Sequence, residues 1–202
     1  PPGIFAGQPP HFVLFSPCRM CYTAYIIVTK GRDKMRVLNF GSLNRDLVYS
    51  VAHAVRPGET LASSKLETFC GGKGLNQSLA LARAGAQVWH AGCVGADGGE
   101  LRKMLADSGV DTRYVREVDG SSGHAVIQVD SAGQNSILLY GGANQQITPA
   151  FADEVLADFG AGDLLVLQNE ISAIPHIMRQ AKARGMRIAW NPSPFAPELT
   201  GY

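Results

Sequence analysis

The feature that most constrains the fold is an alternation of short apolar runs with longer helical patterns. The run Arg36-Val-Leu-Asn-Phe40 ends at Gly41-Ser42, and the run Leu164-Leu-Val-Leu-Gln168 ends at Asn169-Glu170. Both are typical of strands in a parallel sheet, whose two faces are covered by helices. Two further runs of this kind span residues 88–93 and 187–190. The alternation predicts an α/β fold with three layers, in which a mostly parallel sheet lies between helices.

A second pattern interrupts this alternation in the middle of the chain. Residues 123–129 and 135–140 alternate between apolar and polar side chains, and Asp130-Ser-Ala-Gly133 joins them. Such a pair predicts an antiparallel hairpin. We therefore expect a small separate sheet beside the main one.

Composition excludes several classes of protein. The chain has 202 residues, a formal net charge of +1 and 17% charged residues, with no basic stripe. Nucleic-acid-binding proteins normally carry such a stripe, so we expect no nucleic-acid partner. The four cysteines form no disulfide framework, which favours a reducing, cytoplasmic setting.

Residues 1–34 differ from the rest of the chain. They contain Pro-Pro pairs and an apolar stretch, residues 12–28, broken by Pro17 and Arg19. The stretch is too short and interrupted for a membrane span, and it lacks the basic start of a signal peptide. We interpret residues 1–34 as a non-homologous or disordered extension, and residues 35–202 as the α/β domain.

The glycine-rich segment Thr68-Phe-Cys-Gly-Gly-Lys-Gly-Leu-Asn-Gln-Ser78 predicts a ligand-binding loop. Glycines let the backbone approach a ligand closely, while Lys73 and Asn76 supply an ammonium and an amide. A helix starting near Asn76 would point its free N–H groups at an oxygen-rich molecule. The expected ligand is polyhydroxylated or phosphorylated.

Polar residues also follow the predicted strands. Asn44 and Asp46 follow the first, and Glu170 follows the run that ends at Gln168. In open α/β sheets, ligands bind beyond the carboxyl ends of the strands, so we expect one shared pocket. Each residue also has a simpler interpretation: Asp46 could cap a turn, Glu170 could cap the helix that follows it, and Lys73 could be a solvated loop residue.

These motifs together resemble the ribokinase-like, or phosphofructokinase-B type, family of carbohydrate kinases. The resemblance extends from about Arg36 to the end of the chain. It rests on Gly41-Ser-Leu-Asn-Arg-Asp46, Gly71-Gly-Lys-Gly-Leu-Asn76 and Leu167-Gln-Asn-Glu170, with Pro57-Gly-Glu-Thr60 and Gly141-Gly-Ala-Asn144 in matching order. The family fold implies a β-sheet lid over the sugar, which would be formed here by segments near 46–51, 63–70, 123–130 and 135–141.

The resemblance also implies an activity, the transfer of a phosphoryl group from ATP to a sugar hydroxyl. The favoured reaction is ribose to ribose 5-phosphate, with ATP and Mg²⁺ as cofactors of the complete enzyme; whether a monovalent cation also takes part is left open. The residues expected to bind the sugar are Asn44, Asp46, Gly72, Lys73, Asn76 and Glu170.

The family's catalytic aspartate lies in a Gly-Ala-Gly-Asp motif that opens a helix. Gly160-Ala-Gly-Asp163 has these letters, but a buried strand follows it. No cluster of helix N–H groups would face a phosphate there, so we interpret it as a turn. We expect the chain to be the amino-terminal part of a sugar kinase. It would have no catalytic residue, bind sugar weakly and not phosphorylate it.

Other functions remain open at this point. A nucleoside or fructose-type kinase of the same family is one alternative. Another is a non-catalytic sugar-binding or dimerising module that pairs through the lid, using Val126, Ile127 and Leu139. A dinucleotide-dependent oxidoreductase is disfavoured, because no Gly-x-Gly-x-x-Gly follows the first strand.

Overall fold

The computed structural model describes residues 35–195, which form nine strands, four α-helices and one 3-10 helix. The predicted extension at 1–34 lies outside the described residues. The strands are β1 (Arg36–Phe40), β2 (Asn44–Ser50), β3 (Lys65–Gly71), β4 (Gln87–Val94), β5 (Asp111–Glu117), β6 (Gly123–Val129), β7 (Asn135–Tyr140), β8 (Leu164–Leu167) and β9 (Arg187–Trp190). The helices are α1 (Lys73–Arg83), α2 (Gly99–Asp107), α3 (Pro149–Leu156) and α4 (Ile174–Ala183), with the 3-10 helix at Gly142–Gln146.

The larger sheet is parallel, with the strand order β5-β4-β1-β8-β9. Successive residues of β1 enter different cores, because side chains alternate across a strand. Val37 packs in a cluster with residues of α1 and α2, whereas Leu38 packs in a cluster with residues of α3 and α4. The predicted three-layer α/β architecture is therefore confirmed.

The smaller sheet has the order β3-β2-β6-β7 and mixes directions. Strand β2 runs antiparallel to β3 and parallel to β6, and β6 and β7 form the predicted antiparallel hairpin. Strand β2 begins at Asn44, two residues before the predicted segment 46–51. Both Asn44 and Asp46 therefore belong to the smaller sheet, and β2 leaves the larger sheet directly after the Gly41–Leu43 turn.

One local prediction was wrong, and one strand was missed. Helix α1 begins at Lys73 rather than near Asn76. Strand β5, an edge strand of the larger sheet, was not predicted. Its sequence Asp-Thr-Arg-Tyr-Val-Arg-Glu buries Val115 while other positions face solvent, so it lacks the continuous apolar character of the inner strands.

The Gly160–Asp163 segment is a turn, as its sequence predicts. The Asp163 carboxylate accepts a hydrogen bond from Gly160 N at 3.0 Å and pairs with Arg36. Asp163 directly precedes β8, at the amino end of that strand. It therefore lies at the edge of the sheet opposite to Glu170, which follows the carboxyl end of β8.

Two searches of residues 35–195 gave negative results. No helix there has both the length and the apolar character needed to cross a membrane. No set of three or more His, Cys, Asp or Glu side chains in this range is grouped so that it could hold a metal ion.

Candidate functional site

The start of helix α1 packs directly on the turn between β1 and β2, and glycines make this contact possible. Gly72 has φ 96°, a conformation that non-glycine residues rarely adopt. A Cβ at Gly72 would lie 2.9 Å from the Ser42 carbonyl oxygen, and a Cβ at Gly74 would lie 2.7 Å from Gly41 Cα. The glycines of this motif therefore serve close backbone packing as well as ligand access.

The first N–H groups of α1 are bonded to the protein itself. Lys73 N donates to Glu170 Oε2 at 3.2 Å, and Gly74 N donates to Ser42 Oγ at 3.2 Å. Leu75 N donates to the Ser42 carbonyl oxygen at 2.9 Å. The expectation that free N–H groups of this helix face a ligand is therefore wrong, since Ser42 and Glu170 satisfy them as capping groups.

Glu170 is the most strongly bonded carboxylate at the carboxyl edge of the larger sheet. Its Oε1 pairs with Lys73 Nζ at 2.6 Å, and its Oε2 accepts a hydrogen bond from Ser42 Oγ at 2.6 Å. Only 5% of the Glu170 side chain is exposed, compared with 37% for Lys73. Glu170 caps the start of α1, which precedes it in the chain, rather than the helix that follows it.

Asp46 faces the same region from the smaller sheet, and its surroundings are different. Its carboxylate accepts no hydrogen bond from the described residues, and it lies against Gly71, where a Cβ would collide with it. Burial raises the pKa of the Asp46 carboxyl, the charge of Glu170 raises it further, and the Lys73 ammonium partly offsets both. Asp46 is thus close enough to Glu170 and Lys73 for their charges to shift its pKa, and no residue in the described part of the chain donates a hydrogen bond to it.

A cavity of about 190 Å³ lies between the two sheets. Its lining comes from four places: the residues after β8, the start of β2, strand β7 and the β7–α3 connection. The lining residues are Asn44, Leu139, Gly141, Asn144, Gln145, Asn169 and Glu170.

Asn44 is 3% exposed, and its Oδ1 accepts a hydrogen bond from Asn144 Nδ2 at 2.7 Å. Asn144 also bonds the Leu43 main chain, through Leu43 N to its Oδ1 at 3.0 Å. The 3-10 helix that carries Asn144 therefore holds the beginning of β2. Gln145 on the same helix donates to the Glu170 carbonyl oxygen at 3.0 Å.

A series of hydrogen bonds between buried polar side chains ends at the turn between β1 and β2. Asn39 Nδ2 donates to Ser78 Oγ at 2.8 Å, and Ser78 Oγ lies 2.8 Å from His90 Nδ1. His90 Nε2 lies 3.2 Å from the Gly41 carbonyl oxygen, which requires the N–H to be on Nε2. Complete burial lowers the pKa of His90 to about 4, so the ring is neutral at neutral pH.

The structure thus brings together most of the residues that the sequence singled out. Lys73 and Glu170 are bonded to each other, Asn44 and Glu170 line one cavity, and Gly72 packs at the turn beside them. Asn76 is different, because it lies on the second turn of α1 with an exposed side chain, and no hydrogen bond joins its side chain to the described residues. Its expected role in sugar binding stays a prediction.

Sequence reasoning missed two polar residues that organise this site. Ser42 bonds both Glu170 and the start of α1, and Asn144 bonds Asn44. Both occur inside motifs on which the family resemblance rests, Gly41-Ser-Leu-Asn-Arg-Asp46 and Gly141-Gly-Ala-Asn144. A signal existed in these motifs, but the partners of Asn144 lie about a hundred residues away and could not be read from it.

Comparison with known proteins gives a consistent result. The model of the pfkB family carbohydrate kinases matches residues 34–194 of the chain. The chain is 36% identical over 159 residues to a ribokinase of Haemophilus influenzae, covering 76% of this chain and 52% of that protein. It therefore spans about half the length of this curated relative.

Solved structures show the same relationship. One is a ribokinase from Cryptococcus neoformans var. grubii in complex with ADP, with a TM-score of 0.67 and 36% identity over 82% of this chain and 52% of that one. Another is a ribokinase of Arabidopsis thaliana complexed with ribose and ATP, with a TM-score of 0.66 and 28% identity over 80% of this chain and 54% of that one.

Proposed function

The chain belongs to the pfkB family of carbohydrate kinases, and from this we propose that it forms the sugar-binding half of an ATP-dependent sugar kinase. The proposed reaction is the phosphorylation of ribose to ribose 5-phosphate. The observation that carries the proposal is the pair of carboxylates, Asp46 and Glu170, that approach one region from two different sheets, with no hydrogen-bond donor to Asp46 among residues 35–195.

Asn44 and Glu170 line the cavity, Lys73 and Asp46 lie close to Glu170, and together these polar groups suit a polyhydroxylated ligand. A carboxylate accepts hydrogen bonds from hydroxyl groups, and an ammonium or amide donates to them. Asp46 and Glu170 supply the acceptors, while Lys73 and Asn44 supply the donors. A half-buried carboxylate without a donor is unfavourable, and a sugar hydroxyl would remove that penalty. In this way the site would discriminate against molecules that lack the hydroxyl.

The choice of ribose and ATP rests on relatives. The Arabidopsis ribokinase was crystallised with ribose and ATP, and the Cryptococcus ribokinase with ADP. Both share this chain's fold over about four fifths of its length. A fructose-type or nucleoside kinase remains the alternative, and the assay below separates it.

Phosphoryl transfer needs a base at the attacking hydroxyl and donors around the phosphate. Gly160-Ala-Gly-Asp163 does not supply them, because Asp163 is bonded to Arg36 at the amino end of β8. We propose that the catalytic aspartate and the residues for ATP, Mg²⁺ and any monovalent cation belong to the part of the family fold that this sequence does not cover. By this proposal the 202-residue chain binds sugar weakly and does not phosphorylate it.

The test compares the 202-residue chain with the full-length protein that contains it. Calorimetric titration and an ATP-coupled assay with ribose, fructose and adenosine should give turnover only with the full-length protein, and the highest kcat/KM with ribose. Preference for adenosine or fructose would overturn the substrate. Absence of turnover with every sugar would favour the non-catalytic module.

Self-association through the smaller sheet is a further part of the proposal. Strand β7 is an edge strand, and 71% of Leu138 is exposed, with Ile137, Leu139 and Tyr140 also exposed. Val126 and Ile127, which the sequence also suggested, are only partly exposed. Sedimentation should show a dimer that Leu138→Lys converts to a monomer, and a wild-type monomer at micromolar concentration would contradict this.

We place the protein in the cytoplasm because ATP is available there. The thiols of Cys70 and Cys93, both free, fit a reducing compartment.

A further inference from the structure

The amide of Asn144 has only one orientation that satisfies its neighbours. Leu43 N, a donor, lies 3.0 Å from Asn144 Oδ1, and Leu43 O, an acceptor, lies 3.3 Å from Asn144 Nδ2. Exchanging the oxygen and nitrogen of Asn144 would set donor against donor and acceptor against acceptor. The main chain of Leu43 therefore fixes which end of this amide carries the hydrogens.

The orientation of the Asn144 amide also determines the orientation of the Asn44 amide. The second hydrogen of Asn144 Nδ2 is donated to Asn44 at 2.7 Å, so the atom of Asn44 that receives it must be the oxygen. Asn144 is 1% exposed and Asn44 is 3% exposed, so water has little access to compete for these bonds. A side chain at position 123 would occupy the space of the pair, and Gly123 leaves that space open.

The NH₂ group of the Asn44 side-chain amide is consequently left without an acceptor among the described residues. Its Nδ2 has no hydrogen-bond partner among residues 35–195, although the residue is almost completely buried and lines the cavity between the sheets. Asp46, two residues along the same strand, can only accept. The two side chains on β2 therefore offer one donor and one acceptor of fixed polarity.

We propose that Asn144 is a positioning residue: it orients the Asn44 amide so that the site presents an N–H donor, and not an acceptor, to one hydroxyl of the ligand. The inference rests on the proposed sugar-binding function and deepens it. The preferred ligand carries one hydroxyl that accepts from Asn44 and a neighbouring hydroxyl that donates to Asp46. Asn144 acts through Asn44 and need not contact the sugar.

The first test requires no substrate. In the full-length protein labelled with ¹⁵N-asparagine, the side-chain amide hydrogens of Asn144 should exchange slowly with solvent and those of Asn44 quickly. In Asn144→Asp the introduced carboxylate cannot donate, so the Asn44 amide should rotate, donate to it and become protected. Protection of the Asn44 amide in the unchanged protein would overturn the inference.

The second test uses kinetics and a matched control. Asn144→Asp should raise the sugar KM by about tenfold to a hundredfold, as expected for a buried hydrogen-bonding group with a mismatched partner, and leave the ATP KM unchanged. Gln146→Glu makes the same chemical change on the same 3-10 helix, where Gln146 Nε2 donates to the Asp119 carbonyl oxygen at 2.8 Å. The control should keep the sugar KM of the unchanged protein.

A double-mutant cycle separates positioning from a general structural effect. In an Asn44→Ala background, Asn144→Asp should raise the sugar KM no further, because no amide remains to be turned. An effect that persists in this background, a parallel rise in the ATP KM, or a sugar KM that stays within about threefold of the wild type would each overturn the inference. If the unchanged protein phosphorylates no sugar, the proposed function fails, and the exchange experiment alone decides the orientation.

Discussion

The two carboxylates of the candidate site, Glu170 and Asp46, are held in opposite ways. Glu170 comes from the larger sheet and is bonded by Lys73 and Ser42 within the protein. Asp46 comes from the smaller sheet and accepts no hydrogen bond from the residues described. Burial raises the pKa of Asp46.

The two sheets therefore contribute different kinds of polar group to the candidate site. On the side of the larger sheet, the Glu170 carboxylate is already bonded to Lys73 and Ser42 in the absence of a ligand. On the side of the smaller sheet, the Asp46 carboxylate and the amide nitrogen of Asn44 have no hydrogen-bond partner among residues 35–195. If the site binds a sugar as proposed, we expect the ligand to gain most of its binding free energy from the side chains of β2.

The largest effect should follow from Asp46→Asn, which replaces an acceptor with a group that presents a donor to the sugar. We expect kcat/KM for the sugar to fall by about a hundredfold, with the free energy of unfolding unchanged or slightly higher. Steady-state kinetics on the full-length protein measure this. Asp107→Asn, in an exposed ion pair with Lys103, is the control and should leave kcat/KM unchanged. A kcat/KM for Asp46→Asn within threefold of the wild type, roughly the scatter of such comparisons, would remove Asp46 from the site.

The second prediction concerns stability. Glu170→Gln removes the charge that pairs with Lys73 and weakens the capping of α1, so the free energy of unfolding should fall by about 2 kcal/mol. Urea denaturation of the 202-residue chain measures it. Asp107→Asn breaks a surface pair and should cost less than about 0.5 kcal/mol. If Asp46→Asn proved more destabilising than Glu170→Gln, the contrast between the two carboxylates would be reversed.

The sequence predicted the architecture because apolar runs record burial directly. Val37, Leu38 and Phe40 of β1 and residues 164–167 of β8 are apolar, as expected for strands that are covered on both faces. Glycines follow the ends of α1 and α4. Strand β5 was not predicted because it lies at the edge of the sheet and only one of its side chains, Val115, is buried, so it has no continuous apolar run. The helix start was misplaced because Gly74 has poor helix propensity, and contacts of the helix start with Ser42 and Glu170 outweigh that preference.

The candidate site was predicted only in part for a related reason. Motif letters identified Asp46, Lys73 and Glu170, whose chemistry is evident from the residue type. The motifs could not reveal that the Glu170 carboxylate has hydrogen-bond donors while the Asp46 carboxylate has none among the described residues. This difference depends on Ser42 and on contacts between segments that are distant in sequence. The role of Asn144 likewise depends on a contact across about a hundred residues.

A smaller effect is expected from pH, on the larger-sheet side of the site. His90 is buried and neutral, and burial lowers its pKa to about 4 from the ordinary value of 6.5. The unfolded chain therefore binds a proton that the folded chain does not, so stability falls as pH drops below 6.5 toward 4. Between about pH 6.5 and 5 the loss should be about 1 to 2 kcal/mol.

Urea denaturation across this range checks the His90 prediction. His90→Gln should be less stable at neutral pH, because the bonds to Ser78 and Gly41 are perturbed, and should show a flatter dependence of stability on pH. An equal slope in the variant and the wild type would assign the proton uptake to another group.

The smallest effect is the contribution of Asp46 to pH dependence, and its sign is opposite to that of His90. Because the folded-state pKa is raised above the ordinary 3.8, the folded chain holds the Asp46 proton more tightly than the unfolded chain does. Stability is then highest below 3.8 and is lost as pH rises through the raised pKa. The effect is small because the residue is only partly buried and solvent screens its charge.

Asp46→Asn should remove this pH dependence, so that the variant gains stability relative to the wild type as pH rises from about 4 to 7. A saturating sugar should diminish the same difference in the wild type, since a hydroxyl donor stabilises the ionised carboxylate. If the variant lost stability over this range instead, Asp46 would already have a donor in the protein, and the contrast with Glu170 would not hold.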